Sequence, residues 1–326
     1  MIGEKLDRYN LLDEIGTGSM GTVYRAEDQS TGRIVAVKLV TSKVLYDSSR
    51  RERFLQGLLL ASQIRHPGIC PILEIGDDDD DLFIVMPFLQ GETLAQQMKR
   101  KPLPWQHTLK VGVSIADALA EVHRAGAVHR SLKPSNVWIL QDGAVVLTDC
   151  CVARFTELSR ARDDVRVRLP EFADTIIPMG ALAYMSPEQI RGDLVDHRSD
   201  IFALGAILYE MLSDRHPFEA RNSLSRISAI LDSNPAPLTS RKQSLPGTLD
   251  AILRNAMQRR PDSRYRDARE MESALRELLE KGSGQEVVSA AASPFGKGHI
   301  ALWKILGISS LLVIVVISVI YLFLSR

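Results

Sequence analysis

Through the first third of the chain, apolar and polar residues alternate in short runs. Tyr9 to Ile15, Thr22 to Ala26, Arg33 to Val40 and Leu82 to Phe88 read as strands. Asp28-Gln29-Ser30-Thr31-Gly32, between the second and third, has the composition of a turn. Further on, the period changes. From Thr108 to Arg124 apolar residues recur at helical spacing, and Gly126 is the expected stop. Asp200 precedes Ile201-Phe202-Ala203-Leu204-Gly205-Ala206-Ile207-Leu208, a run that predicts a buried helix, with Asp200 placed to cap its first turn. Strands first and helices later predict an α+β body in two lobes, dividing near residues 87–90. No internal repeat of solenoid period is present.

The end of the chain has a third pattern. Ile305 to Leu324 is a run of 20 residues without a charge. At about 1.5 Å per residue a helix of this length spans roughly 30 Å, the hydrocarbon thickness of a bilayer. Trp303 and Tyr321 stand near its two ends, where amphipathic rings favour the interface, and Lys297 and Lys304 lie on its N-terminal side. The N-terminus has no apolar core of secretory type. These features predict a single transmembrane helix over 304–324 in the cytoplasmic membrane, with the large N-terminal domain on the cytoplasmic side. The segment 282–303 is small and polar. It reads as a juxtamembrane linker, whose 17 residues from Gly282 to Gly298 would reach roughly 20–25 Å on average.

Composition narrows the function. Of the 326 residues, 45% are hydrophobic and 25% charged, which excludes global disorder. Lys+Arg and Asp+Glu are both 40, so nothing in the balance points to nucleic acid as a partner. Three cysteines, Cys70, Cys150 and Cys151, are no disulfide framework and suit a reducing compartment. Two adjacent thiols are too few for a closed zinc site, and Cys150-Cys151 reads as buried and inert. The acidic run Asp77 to Asp81 lacks the ligand spacing of a calcium loop and reads as a solvated hairpin tip.

Gly16-Thr17-Gly18-Ser19-Met20-Gly21-Thr22-Val23 contains GxGxxG. A dinucleotide fold needs a helix directly after such a loop; here a strand follows, then a turn, then another strand. That context fits a glycine flap over nucleotide phosphates, where the missing Cβ lets the backbone come close. In Val35-Ala36-Val37-Lys38, alternation puts Ala36 and Lys38 on one strand face, a small residue beside a flat base and an ammonium near phosphates. An ordinary hairpin with a surface lysine is the competing reading.

Further motifs run in order: Met86-Pro87-Phe88-Leu89, Val128-His129-Arg130-Ser131-Leu132-Lys133-Pro134-Ser135-Asn136, Thr148-Asp149-Cys150-Cys151, Tyr184-Met185-Ser186-Pro187-Glu188-Gln189, Asp200 and Arg264. Over residues 9–280 the chain resembles a bacterial-type serine/threonine protein kinase domain. The resemblance implies a bilobal kinase-like fold with a β-rich N-lobe and a helical C-lobe. It implies ATP or ADP with Mg²⁺, the nucleotide held by Ile15, Gly16, Gly18, Gly21, Val23, Ala36, Lys38, Met86 and Leu89. Asn136 and Asp149 fall on the family's magnesium positions, and Arg264 matches the residue that pairs with Glu188. Taking Asp142-Gly143 as a two-residue turn, the hairpin register sets Asn136 directly opposite Asp149. A turn-end Asn and Asp with solvent partners is the alternative.

The departures fall on the chemistry. Where the family has the catalytic Asp this chain has Ser131, whose hydroxyl cannot accept a proton near neutral pH; losing a general base costs about 10²–10⁴-fold. Lys133 is retained. Nine residues before His66 stands Gly57, where the family carries the glutamate that pairs with the strand lysine, and Glu52 projects about 140° away on the same helix. Cys151 replaces a glycine, and Ala181 a threonine. The long stretch from Asp149 to Glu188 carries Arg154, Arg160, Arg162, Arg166 and Arg168, and a phosphate on Thr156, Ser159 or Thr175 could dock on Arg130. Three readings follow: a membrane-tethered pseudokinase that binds Mg-ATP or ADP and acts on a protein partner such as an active kinase; a low-activity serine/threonine kinase using Lys38, Lys133, Asn136 and Asp149; and a nucleotide-free interaction module.

Overall fold

The computed structural model describes residues 2–18, 20–41, 48–78, 81–100, 103–150, 179–238 and 245–291. Residues 1–279 form one compact unit. Its first part is an antiparallel sheet of six strands, β1 (Lys5–Leu6), β2 (Tyr9–Gly18), β3 (Gly21–Asp28), β4 (Arg33–Val40), β5 (Glu74–Asp78) and β6 (Asp81–Pro87), in the order β1-β2-β3-β4-β6-β5. The turn expected at Asp28–Gly32 is present. Asp28 Oδ1 accepts from the Ser30 N–H at 2.9 Å, and Gly32 takes a φ of 68°.

The alternation of β4 divides two cores. Val35 and Val37 join Tyr9, Leu11, Tyr24, Phe83 and Val85 on one face. Val40 joins Met20, Leu82 and Ile84 on the other, under Phe54 and Leu58 of helix α1 (Ser48–Gln63).

A second, three-stranded sheet follows, built from β7 (Gly91–Thr93), β8 (Val137–Leu140) and β9 (Val145–Leu147). The remaining body is helical: α2 (Leu94–Arg100), α3 (Trp105–Arg124), α4 (Met179–Leu182), α5 (Pro187–Arg191), α6 (Arg198–Ser213), α7 (Ser223–Asp232), α8 (Gly247–Ala256) and α9 (Ala268–Ala291). Helix α3 ends as its glycine predicts. Gly126 has φ 73°, its N–H reaches the His123 carbonyl at 3.0 Å, and the Ala127 N–H reaches Val122 at 3.1 Å. Helix α6 is the centre of the large core, with Ile201, Phe202, Leu204, Ile207 and Leu208 fully buried. Its Gly205 lies so close to Ala256 and Met257 that a Cβ would stand 2.9 Å from both side chains.

Three expectations are corrected. Asp200 is not the cap of α6: His197 precedes the helix without a side-chain cap, and Asp200 is its third residue. The β8–β9 hairpin pairs Val137 with Leu147 and Ile139 with Val145, one residue out of the expected register. Its loop has three residues, Gln141–Gly143, because Leu140 N–H bonds the Ala144 carbonyl and Gly143 takes φ 85°. Finally, α9 continues through Gly282-Ser283-Gly284 to Ala291, where a loose linker was expected. The predicted transmembrane segment, 304–324, lies outside the described residues. Among those that are described, no helix is long and apolar enough to cross a membrane.

Candidate functional site

The glycine-bearing strands form a tight hairpin, with Gly16 opposite Val23 and Gly18 opposite Gly21. Gly21 is the position where only glycine fits. Its φ is 145°, and a Cβ would stand 1.8 Å from the Leu39 carbonyl oxygen. At Gly16 and Gly18 a Cβ would meet open space, so the strand surface there is bare backbone. Ile15 is 43% exposed at the rim.

Register then assembles one face. Val23 is opposite Lys38, Lys38 opposite Ile84, and Ala36 opposite Met86. The predicted cofactor-binding residues Val23, Ala36, Lys38 and Met86 therefore share a surface, and Leu89 lies half-buried just beyond β6.

Lys38 is buried, and its Nζ donates to Asp149 Oδ1 at 2.7 Å. Among the described residues this is its one ion pair. Gly57 does lie in α1, where it offers no carboxylate, and Glu52 is exposed. Burial works to raise the Asp149 carboxyl; the Lys38 ammonium and its hydrogen bond, with Lys133 and His129 behind it, more than reverse this and hold it below its ordinary value. Lys133 is pushed down by burial and further by Lys38, against the opposing pull of Asp149. The two ammoniums thus share one carboxylate. Burial, and secondarily Asp149, pushes the Cys70 thiol up to about 12, so it stays protonated. Cys150 is buried, as expected; Cys151 lies outside the described residues.

Asn136 is not directly opposite Asp149. The corrected register sets it against Thr148, whose N–H donates to the Asn136 carbonyl at 2.9 Å. A one-residue slip would normally send Asp149 to the other side. Instead Asp149 adopts φ 59°, leaving the strand path, and its carboxylate meets Lys38. The Asn136 amide donates to the Ser131 carbonyl at 2.9 Å and sits 3.3 Å from Ser131 Oγ. With its nitrogen so engaged, Asn136 presents Oδ1 as an acceptor, and Asp149 retains Oδ2. An amide oxygen and a carboxylate oxygen are a donor set that suits a hard divalent cation.

The loop carrying Ser131 is held from below. Asp200 accepts from the His129 N–H at 2.8 Å through Oδ2 and from the Arg130 N–H at 2.8 Å through Oδ1. His123 Nε2 meets the same Oδ2 at 2.8 Å. Arg130 takes φ 63°, and its carbonyl accepts from Gln189 Nε2 at 3.0 Å. His123 was missed in the sequence, although it falls four residues after Leu119, a polar ring on the buried stripe of α3. Glu188 and Arg264 are paired through both carboxylate oxygens at 2.6 and 2.7 Å, as the motif implies. The candidate phosphate acceptors Thr156, Ser159 and Thr175 lie outside the described residues. So does the side chain of Ala181.

Comparison with known proteins agrees with this geometry. The protein kinase domain family matches residues 9–278. The serine/threonine-protein kinase PrkC of Bacillus subtilis is 33% identical over 278 residues, 85% of this chain and 41% of that protein. PknB of Mycobacterium tuberculosis is 32% identical over 274 residues, 82% of this chain and 42% of that protein. The chain thus spans about two fifths of the length of these relatives. The crystal structure of the Mycobacterium tuberculosis PknI kinase domain superposes with a TM-score of 0.67 at 23% identity, covering 85% of this chain and 98% of that one, and shares its fold. The bilobal body is thus that of a kinase domain, and this chain belongs to the bacterial-type serine/threonine protein kinase domain family.

Proposed function

We propose that the chain is a nucleotide-binding pseudokinase that works through a protein partner and is anchored to the cytoplasmic membrane by residues 304–324. The observation that carries the reading is the pair of substitutions at the chemistry: a hydroxyl at Ser131 where a proton acceptor is needed, and no α1 carboxylate for Lys38, which turns to Asp149 instead. The nucleotide surface supports binding. Gly16 and Gly18 leave backbone open to phosphate, Ala36 and Met86 share one sheet face on which a base could lie, and Asn136 and Asp149 would hold magnesium. Magnesium, when bound, would neutralise phosphate charge.

The partner half of the reading is supported by a cleft of about 270 Å³ on the helical lobe, lined by Met98, Leu103, Tyr184, Glu210, Met211 and Asp214. Lys99 also lines it and Tyr184 bonds Glu210, so its apolar walls suit an apolar side chain of a bound protein segment.

A second reading, a slow serine/threonine kinase, is favoured by the retained Lys133 and the Asn136–Asp149 donor set. One experiment separates them. Purified full-length protein is tested for nucleotide-induced stabilisation and for radiolabel transfer, beside Ser131→Asp and the double variant Ser131→Asp/Gly57→Glu. Stabilisation without transfer in the wild type, and transfer appearing in the double variant, is the expected result. Transfer by the wild type that disappears in Asp149→Asn would establish the slow kinase, and absence of stabilisation by any adenine nucleotide would end both readings. Anchoring is tested separately: the full chain should remain with membranes through a carbonate wash and a chain cut after Ala291 should not, so full chain in the soluble fraction refutes it.

A further inference from the structure

We infer that this site holds the phosphate tail of an adenine nucleotide without requiring a divalent cation, because Lys38 and Lys133 already supply the counter-charge. The inference rests on the nucleotide-binding reading above and adds the mode of binding.

A nucleoside triphosphate carries three to four negative charges, and a phosphate site rich in carboxylates must first be inverted in sign by a metal ion. Here the sign is already positive. The lysine side chains acting on Asp149 are those of Lys38, which bonds it at 2.7 Å, and Lys133. Burial, and secondarily Asp149, pushes the Cys70 thiol up to about 12, so it adds no negative charge. Counted by residue type among the described residues, two lysines and one aspartate leave a formal charge of +1. Ser131 and Gly57 add nothing to the negative side.

The geometry points the same way. The 2.7 Å Lys38–Asp149 contact takes up one oxygen of the one acid that pairs with Lys38 among the described residues. Lys133, half-buried, has no hydrogen-bond partner among the described residues, so one ammonium is available to a phosphate oxygen. The bare backbone at Gly16 and Gly18 lies on the strands that carry Val23 opposite Lys38.

The test is calorimetric titration of the full chain with ADP, ATP and adenosine, in EDTA and in excess magnesium. ADP and ATP are expected to bind in EDTA within about tenfold of their affinity in magnesium, and at least tenfold more tightly than adenosine. Ser131→Asp, which returns a carboxylate to the site, is expected to weaken metal-free ADP at least tenfold while sparing magnesium-ADP. Lys133→Met should lose the preference for ADP over adenosine in EDTA, with its unliganded melting temperature confirming that it is folded. Nucleotide that binds in magnesium but not in EDTA would overturn the inference and leave the nucleotide-binding reading standing. No nucleotide binding in either condition would overturn both.

Discussion

Replacing Arg264 with methionine removes the most deeply buried charge described in the fold. Its side chain is 0% exposed and its partner Glu188 5%. The guanidinium makes two bonds to the carboxylate, at 2.6 and 2.7 Å, and donates to the carbonyls of Gln258 at 2.7 Å, Arg198 at 2.9 Å and Arg259 at 3.2 Å. It also lies 5.0 Å over the Phe202 ring. Arg264→Met therefore strands a carboxylate with the Ser199 hydroxyl and a backbone N–H left to satisfy it, and removes a donor from three carbonyls. Leaving one partner of a buried pair uncompensated costs about 3–5 kcal/mol. For a domain of this size that is a fall in melting temperature of roughly 6–20 °C. Calorimetry reads it directly, and a cycle with Glu188→Gln should show coupling of about 2 kcal/mol or more. The pH profile adds a sign. In the wild type, burial works to raise the Glu188 carboxyl but Arg264 holds it below its ordinary value. That stability is present above about pH 4.5 and is lost as pH falls through the lower folded value. In the variant the stranded carboxylate should be raised, so acidification from neutral pH should stabilise the protein. A cost under about 1 kcal/mol, or additive single changes, would refute the argument.

Two further outcomes follow from local geometry. Gly21→Ala should destabilise by about 2 kcal/mol or more, and Gly18→Ala by less than about 1 kcal/mol, because only the first puts a Cβ against backbone at a φ of 145°; equal melting temperatures would contradict this. Burial, with Arg226 adding to it, pushes His216 down to about 4, so the folded protein keeps it neutral. The unfolded chain takes up that proton first, so stability should fall between about pH 6.5 and pH 4, by at most about 3 kcal/mol, and His216→Asn should flatten that part of a chemical-denaturation profile.

Much of this fold was legible in the sequence because its signals are local. The stop of α3 depends on one glycine taking φ 73°, and the face shared by Ala36 and Lys38 depends only on strand alternation. The hairpin before Asp149 shows where that reasoning stops. Asp142-Gly143 marks a turn correctly, but the number of loop residues is decided by which carbonyl Leu140 pairs with, a contact between strands. The one-residue error would have sent Asp149 away from Lys38, had its left-handed backbone not redirected it. Asp200 was misread for a similar reason. An acid at a helix start suggests capping, while its actual partners, His129 and Arg130, are about 70 positions distant along the chain. Gly282-Ser283-Gly284 suggested a linker by composition, but helix α9 runs through it.

The grip of Asp200 on the loop before Ser131 has an evolutionary consequence. Asp200 binds main-chain N–H groups of residues 129 and 130, which every amino acid but proline possesses. The architecture of the loop is thus insured against changes in its own side chains. A side-chain exchange at position 131 can therefore leave the segment that carries it folded. The same insurance works in reverse: a single codon change at position 131 would return an acid to a loop already folded to receive it.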